Sequence, residues 1–205
     1  MILSFHPCFA GDRYIHCAGR PLTEDEKNAM NRASAVILPQ GCGPALYKAA
    51  RTRCENVFPD FSTRFEYPGK KGQIELFRAK GIGHPDTILY PCVDDFTTAP
   101  QRAAQTLGYP LVFKFDQADE GQGVFRARTP DDLTALLGKA RAWERTGQAG
   151  FLLQRYVPPF HGVLRVVVIY TQTIAYWRVA DTGASFPINI AGGAAIDDRS
   201  HPDRR

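Results

Sequence analysis

The chain has 205 residues, 44% of them hydrophobic and 22% charged, and 25 Lys and Arg against 21 Asp and Glu leave a net charge of +4. That length is long for one compact domain and short for two full ones, and the apolar fraction is ample for a buried core. The charge excess is mild and forms no run or basic–aromatic stripe, which argues against a nucleic-acid-binding protein, while five cysteines without Cys-x-x-Cys spacing argue against a disulfide framework or a structural zinc site.

The chain opens on a short apolar strand, Met1–Phe5, with no basic leader before it. Leu22–Ala33 is a predicted helix with Thr23 as N-cap and Glu26 three residues on, a capping-box pair. Ala35–Leu38 reads as a buried strand stopped by Pro39, and Pro44 marks the first turn of a helix over Ala45–Arg53. Asn56–Pro59 closes as another short strand. Strand and helix alternate as in a parallel sheet, so residues 1–66 are expected to form a Rossmann-like unit. Gly41-Cys42-Gly43-Pro44 lacks the second glycine before a lysine and the Ser or Thr after it, so it is not a Walker loop. It reads as a strand-to-helix turn that can line a crevice at a sheet edge.

Tyr67–Gly72 breaks the pattern and marks the expected boundary, followed by a helix over Gln73–Lys80 ended by Gly81. Thr87–Tyr90 is a short strand and Ala99–Leu107 a helix. Leu111–Phe115 is an apolar strand carrying Lys114, and Asp131–Arg145 is an amphipathic helix with Leu133, Leu136, Leu137, Ala140 and Trp143 at helical spacing. A strand over Leu152–Val157, then Val163–Tyr170 interrupted by Arg165, and a strand closing at Arg178 complete the series. No apolar run reaches membrane-spanning length. With free cysteines this places the chain in the cytoplasm as an expectation.

Several of these residues are costly unless they do chemistry. A lysine inside an apolar strand needs a partner for its ammonium. Gly121 and Gly123, a few residues past Lys114, remove side chains where backbone N–H groups can approach phosphate oxygens. Taken singly, Lys114 reads as a snorkelling lysine, the glycines as a hairpin turn, and Arg165 and Arg178 as solvated strand residues.

In this order and spacing the pieces resemble the ATP-grasp superfamily. Pro110–Lys114 followed by Gly121-Gln122-Gly123 is similar to its lysine strand and phosphate-covering loop, and Lys71, or its neighbour Lys70, to its earlier lysine. Gln154-Arg155-Tyr156-Val157 resembles the hinge whose backbone reads the adenine edge, with Arg155 in place of the usual glutamate. Arg165, Arg178, and Asn189 with Gly192-Gly193 resemble segments of the subgroup that includes the ribosomal-protein glutamate ligases; Val163 stands where that subgroup has an aspartate. The resemblance implies ATP and Mg2+ as cofactors. It implies an ADP-forming ligation of a carboxylate to an amine or thiol through an acyl phosphate, on small-molecule or peptide substrates, with neither nucleic acid nor membrane as partner. Lys71, Lys114, Gly121, Gln122, Gly123, Gln154, Arg155, Tyr156, Val157 and Asn189 would bind nucleotide, and Arg165 and Arg178 would face the transferred phosphoryl group. The family's metal ligands follow its Gly-Gly segment, and no Glu-x-Asn follows Gly193 here; Asp197 and Asp198 read as solvated loop acids.

The expected architecture is therefore α/β: a Rossmann-like unit over 1–66, the first grasp subdomain over 67–150, and an incomplete second one over 151–205. The alternatives are a nucleotide-binding or regulatory protein without catalysis, and a Rossmann-like domain for a small metabolite. In the grasp reading, Leu111–Phe115 and Leu152–Val157 are expected on opposite walls of one cleft, with Lys114 pointing into it.

Overall fold

The computed structural model describes residues 1–118, 123–159, 162–180, 186–188 and 193–197. The chain divides into two compact units, Met1–Pro68 and Gly69–Arg205.

In the first unit β1 (Ile2–Ser4), β2 (Arg13–Tyr14), α1 (Glu24–Asn31), β3 (Ala35–Ile37), α2 (Pro44–Arg51), β4 (Val57–Phe58) and α3 (Ser62–Glu66) follow in order. The four strands form one parallel sheet in the order β2-β1-β3-β4. Parallel strands buried on both faces read as continuous apolar runs, which is why β1 and β3 stood out; Leu3, Val36 and Leu38 are fully buried beside Ala29, Met30 and Ala50. β2 and α3, of two and five residues, are too short to carry a periodic signal.

Helix α1 starts as expected. Thr23 Oγ1 accepts the Glu26 N–H at 3.3 Å, and Glu26 Oε2 accepts the Thr23 N–H at 2.8 Å. Glu26 also takes both Arg20 guanidinium nitrogens and is itself buried. The Arg20 hydrogen bonds, with the Thr23 backbone donor, pull its carboxyl from 4.5 down to about 2. A depressed acid stabilises the fold fully above its unfolded value and loses that contribution as pH falls through the folded one. Urea unfolding should therefore show this contribution vanish between pH 4.5 and about 2, and Glu26→Gln should flatten that acid limb.

The second unit begins with α4 (Gly69–Ala79) and β5 (Thr87–Tyr90), followed by α5 (Val93–Thr97), α6 (Pro100–Leu107) and β6 (Leu111–Phe115). β7 (Val124–Ala127), α7 (Pro130–Glu144) and β8 (Phe151–Arg155) come next, and β9 (Val163–Ile169), β10 (Gln172–Val179) and β11 (Ala195–Asp197) close the unit. β5-β8-β6-β7 form one antiparallel sheet and β11-β10-β9 another.

Period-two alternation gives the four-stranded sheet two unlike faces. Leu111, Phe113, Phe115, Phe151 and Leu153 point to one side and pack on α5, α6 and α7 through Phe96, Leu107, Leu133 and Leu136. Phe151 stacks between Tyr90 and Phe113, with ring centroids 5.0 and 4.8 Å away, and Phe115 stacks on Trp143 at 4.4 Å. Val112, Lys114, Leu152, Gln154 and Thr87 share the other face.

Two expectations are corrected here. The Lys114 strand and the strand ending at Arg155 do not form opposite walls; β6 and β8 are hydrogen-bonded neighbours, with Val112 opposite Gln154 and Lys114 opposite Leu152. Helix α4 starts at Gly69, not at Gln73. In its first turn the Asp116 carboxylate, 45 residues on, accepts the Lys71 N–H. Sheet β11-β10-β9 is more open: Val163, Leu164, Val166, Val168 and Ile169 are all exposed, so β9 buries neither face. Among the described residues no helix is long and apolar enough to cross a membrane.

Candidate nucleotide-binding site

The polar face of the four-stranded sheet is built around a chain of hydrogen bonds. Lys114 Nζ donates to Gln154 Oε1 at 2.7 Å, Gln154 Nε2 donates to Thr87 Oγ1 at 2.8 Å, and Thr87 Oγ1 donates to the Pro85 carbonyl at 2.7 Å. Gln154 and Thr87 are buried, so each link removes a desolvation cost that an apolar strand would otherwise bear. Among the described residues no carboxylate pairs with Lys114. Burial pushes its ammonium below the ordinary 10.5, and the Lys70 charge adds to the shift.

Beside it, Asp116 ties three chain segments together. Its Oδ1 accepts the Lys71 N–H at 2.8 Å and its Oδ2 accepts Gln117 Nε2 at 2.9 Å, with Lys71 Nζ 3.9 Å from Oδ2. The Asp116 N–H donates to the Gly150 carbonyl, and the Asp116 carbonyl accepts the Lys70 N–H. Lys70 Nζ donates to the carbonyls of Ala118 and Asp116. Gly69 and Gly150 are needed here. Both have positive φ, +70° and +95°, and a Cβ would lie 2.6 Å from Asp116 Oδ1 and 2.5 Å from Lys71 Nζ respectively. Lys71 is thus held at the buried Asp116 carboxylate and Lys70 at backbone carbonyls beside it, and the Lys70 charge acts on Lys114. This is a cationic surplus that a phosphate group would neutralise.

The remaining sequence-predicted residues are placed as follows. Gly123 is buried where its carbonyl accepts the Phe115 N–H, and a Cβ there would lie 2.2 Å from that of Ala118, so the backbone approaches closely. Gly121, Gln122, Asn189, Gly192 and Asp198 lie outside the described residues. Arg155 turns to the face opposite Gln154: its Nε pairs with Asp86 at 2.9 Å and its Nη2 donates to the Thr106 carbonyl at 2.8 Å. Its N–H donates to the Asp86 carbonyl, so neither its side chain nor its N–H is spare. Tyr156 OH receives Arg126 Nη1 at 3.2 Å, and the Arg126 guanidinium lies 5.3 Å from the Tyr156 ring and 5.5 Å from that of Phe186. Val157 is exposed.

Arg165 and Arg178 belong to the other sheet. Arg165 faces Tyr176 across the ladder and Arg178 faces Val163, so the two arginines share a face. Arg178 Nε is buried without a hydrogen-bond partner among the described residues, a costly state that an oxyanion would relieve. Asp197, opposite Trp177 in β11, points to the other face from Arg178; it lies in a strand, not a loop. No hydrogen bond or ion pair among the described residues joins either arginine to the Lys114 cluster. Nor does any group of three His, Cys, Asp or Glu there form a metal-ligand set.

Sequence reasoning missed Asp116, Thr87 and Arg126. Thr87 and Arg126 were legible in principle, since alternation puts them on the Lys114 face once the strand order is known. Asp116 had no local signal.

No family model matches the chain. It is 35% identical to N-acetylaspartylglutamate synthase A of Mus musculus over 118 residues, 57% of this chain and 30% of that protein. To β-citrylglutamate synthase B of Danio rerio it is 32% identical over 114 residues, 55% of this chain and 27% of that protein. The matches thus span under a third of those relatives' length. Among solved structures, an ADP complex of N5-carboxyaminoimidazole ribonucleotide synthetase aligns with a TM-score of 0.57 at 15% identity, over 87% of this chain and 47% of the other. An ATP-grasp RimK domain protein from Sphaerobacter thermophilus aligns at 0.55 and 15% identity, over 81% and 68%. D-alanyl-alanine synthetase A of Vibrio cholerae aligns at 0.57 and 12%, over 80% and 52%. An antiparallel sheet with a half-buried strand lysine, a second antiparallel sheet carrying two arginines on one face, and these alignments agree: this chain has the ATP-grasp fold.

Proposed function

We propose that this chain binds the phosphates of ATP on the Lys114 face and contributes to ADP-forming ligation of a carboxylate to an amine. The observation that carries the reading is Lys114 itself. Its ammonium is largely buried, held by the neutral Gln154 and crowded by Lys70, so the free protein bears a desolvated charge without a counter-ion among the described residues. A nucleotide supplies that counter-ion. The synthases it resembles in sequence, and the synthetases it resembles in fold, support the ligase class.

Within this reading each group has a task. Lys114 and Lys70 or Lys71 would take phosphate oxygens, the Gly123 backbone would close over them, and Tyr156 and Val157 would border the base. Arg178, with its unpartnered Nε, and Arg165 on the same face would stabilise charge on the transferred phosphoryl group and on the tetrahedral oxyanion that follows. Guanidinium suits this because its planar fork meets two oxygens and stays charged. Magnesium would supply charge neutralisation at the nucleotide phosphates, and among the described residues no group of three His, Cys, Asp or Glu stands together to hold it.

Binding should be measured by calorimetry with ATP and magnesium. The ammonium that folding disfavours is the form a phosphate favours, so binding should raise the Lys114 pKa and take up protons. In buffers of differing ionisation enthalpy, at alkaline pH below the ordinary 10.5, the apparent heat should vary with the buffer; Lys114→Gln should remove this dependence. Without nucleotide the lowered value has the opposite consequence. The unfolded lysine holds its proton up to 10.5 while the folded one releases it earlier, so stability rises with pH through that alkaline window. ADP formation abolished by Arg178→Ala would place the metal ligands among residues outside the described set. Absence of any ATP binding would overturn the reading.

A further inference from the structure

The second unit has a groove of about 560 Å³ whose lining the nucleotide reading does not use. It follows β7, which stands at the edge of the sheet β5-β8-β6-β7. The Phe115 N–H donates to the Gly123 carbonyl at 2.8 Å, and Lys114 stands opposite Val124. Bonded and unbonded pairs alternate along an antiparallel ladder, so Phe125 and Ala127 direct their backbone groups to β6 while Val124 and Arg126 direct theirs outward. No strand among the described residues takes those outward N–H and C=O groups. Such an edge is a template for another chain.

The lining differs on the two faces of the sheet. Phe125 and Leu136 lie on the helix-packed face, with Lys139 Nζ 4.9 Å from the Phe125 ring. Arg126, opposite Val112, falls on the other face, and Arg128 follows at the end of the strand. The groove has one carboxylate, Asp132, and its Oδ2 is committed to the Arg128 and Thr129 N–H groups at the start of α7. Arg126 is held by the neutral Tyr156 hydroxyl at 3.2 Å and by aromatic rings. Among the described residues Arg126, Arg128 and Lys139 form no ion pair.

We propose that β7 accepts a further strand from a partner protein, an extended segment in which acidic and apolar residues alternate. Its acids would face Arg126 and Arg128, and its apolar side chains would lie over Phe125 and Leu136. Backbone pairing supplies the affinity in such additions, and alternate side chains supply the specificity. The arginines also turn away a second copy of this edge, since like charges across a strand pair are destabilising. Nucleic acid would answer the charge but has no peptide groups to pair with Val124 and Arg126. The inference does not rest on ATP binding, and its test contains no nucleotide.

The experiment is an amide NMR titration of the whole chain with an end-blocked hexapeptide that alternates glutamate and valine. Beside it are titrated the same peptide with lysine for glutamate, the glutamate peptide with every amide N-methylated, and a hexauridylate RNA. The acidic peptide should shift the signals of Phe125, Arg126 and Arg128 saturably, with a dissociation constant of about 0.1–1 mM. It should also slow hydrogen exchange at the Val124 and Arg126 amides, which a contact by charge alone would not do. The lysine peptide, the N-methylated peptide and the RNA should each bind roughly ten-fold more weakly or less. Arg128→Glu is the matching variant. Arg128 is exposed, and the substitution keeps the N–H that bonds Asp132. An acid ahead of the first turn of α7 suits the helix dipole, so the fold is retained. Binding of the acidic peptide should fall about ten-fold or more while the melting temperature holds. No saturable shift with the acidic peptide, equal binding by the lysine or N-methylated peptide, RNA binding as tightly at the same residues, or Arg128→Glu binding like the parent would each overturn the proposal. Any of these results leaves the nucleotide reading intact.

Discussion

Replacing Lys114 by alanine should weaken ATP binding by about 1.5–3 kcal/mol, roughly ten- to 150-fold, with the fold preserved. The magnitude follows from what the ammonium touches. Among the described residues its side-chain partner is a neutral amide oxygen at 2.7 Å, so its charge is left for a phosphate. Calorimetry with ATP and magnesium reads the loss, and circular dichroism checks the fold. Lys114→Arg is the informative companion: it keeps the charge but puts a larger, branched head beside Gln154 and Lys70, so only part of the affinity should return. An unchanged affinity in Lys114→Ala would make Lys114 a structural residue and remove the main support for the proposed function.

The second large effect is on stability. Gly69→Ala should destabilise the Gly69–Arg205 unit by about 2–5 kcal/mol in urea titrations. Two costs add. A side chain at φ +70° is strained by about 1–2 kcal/mol. The new Cβ would also fall 2.6–2.9 Å from the Asp116 carboxylate, which is buried and committed to the Lys71 N–H. Gly81→Ala isolates the first cost, because Gly81 has φ +64° and nothing within 4 Å of its Cβ position; it should lose only about 1–2 kcal/mol. Equal losses at the two glycines would show that the Asp116 junction yields freely and does not hold the start of α4. Because that junction also holds Lys70, whose charge acts on Lys114, Gly69→Ala should weaken ATP binding while Gly81→Ala does not.

The sequence determined those features whose signals are local. The capping box of Thr23 and Glu26 fixed the start of α1, since both hydrogen bonds close within four residues. The apolar runs of β1, β3 and β6, the amphipathic face of α7, and the resemblance to the ATP-grasp superfamily on Lys114, Gly123 and Arg178 likewise needed no knowledge of the distant chain. The tertiary structure decided whatever depends on pairing across the chain. Which strands neighbour each other is not written in either strand, so β6 and β8 were expected across a cleft and proved to share a ladder. The start of α4 moved to Gly69 because its cap comes from Asp116, 45 residues away. Arg155 was matched to a hinge by its place in the motif, but strand alternation turned its side chain to Asp86 and away from Gln154. Local hydrogen bonds and periodicity are properties of a few consecutive residues. A buried charge finds its partner only once the sheet has assembled, and for Lys114 that partner is Gln154.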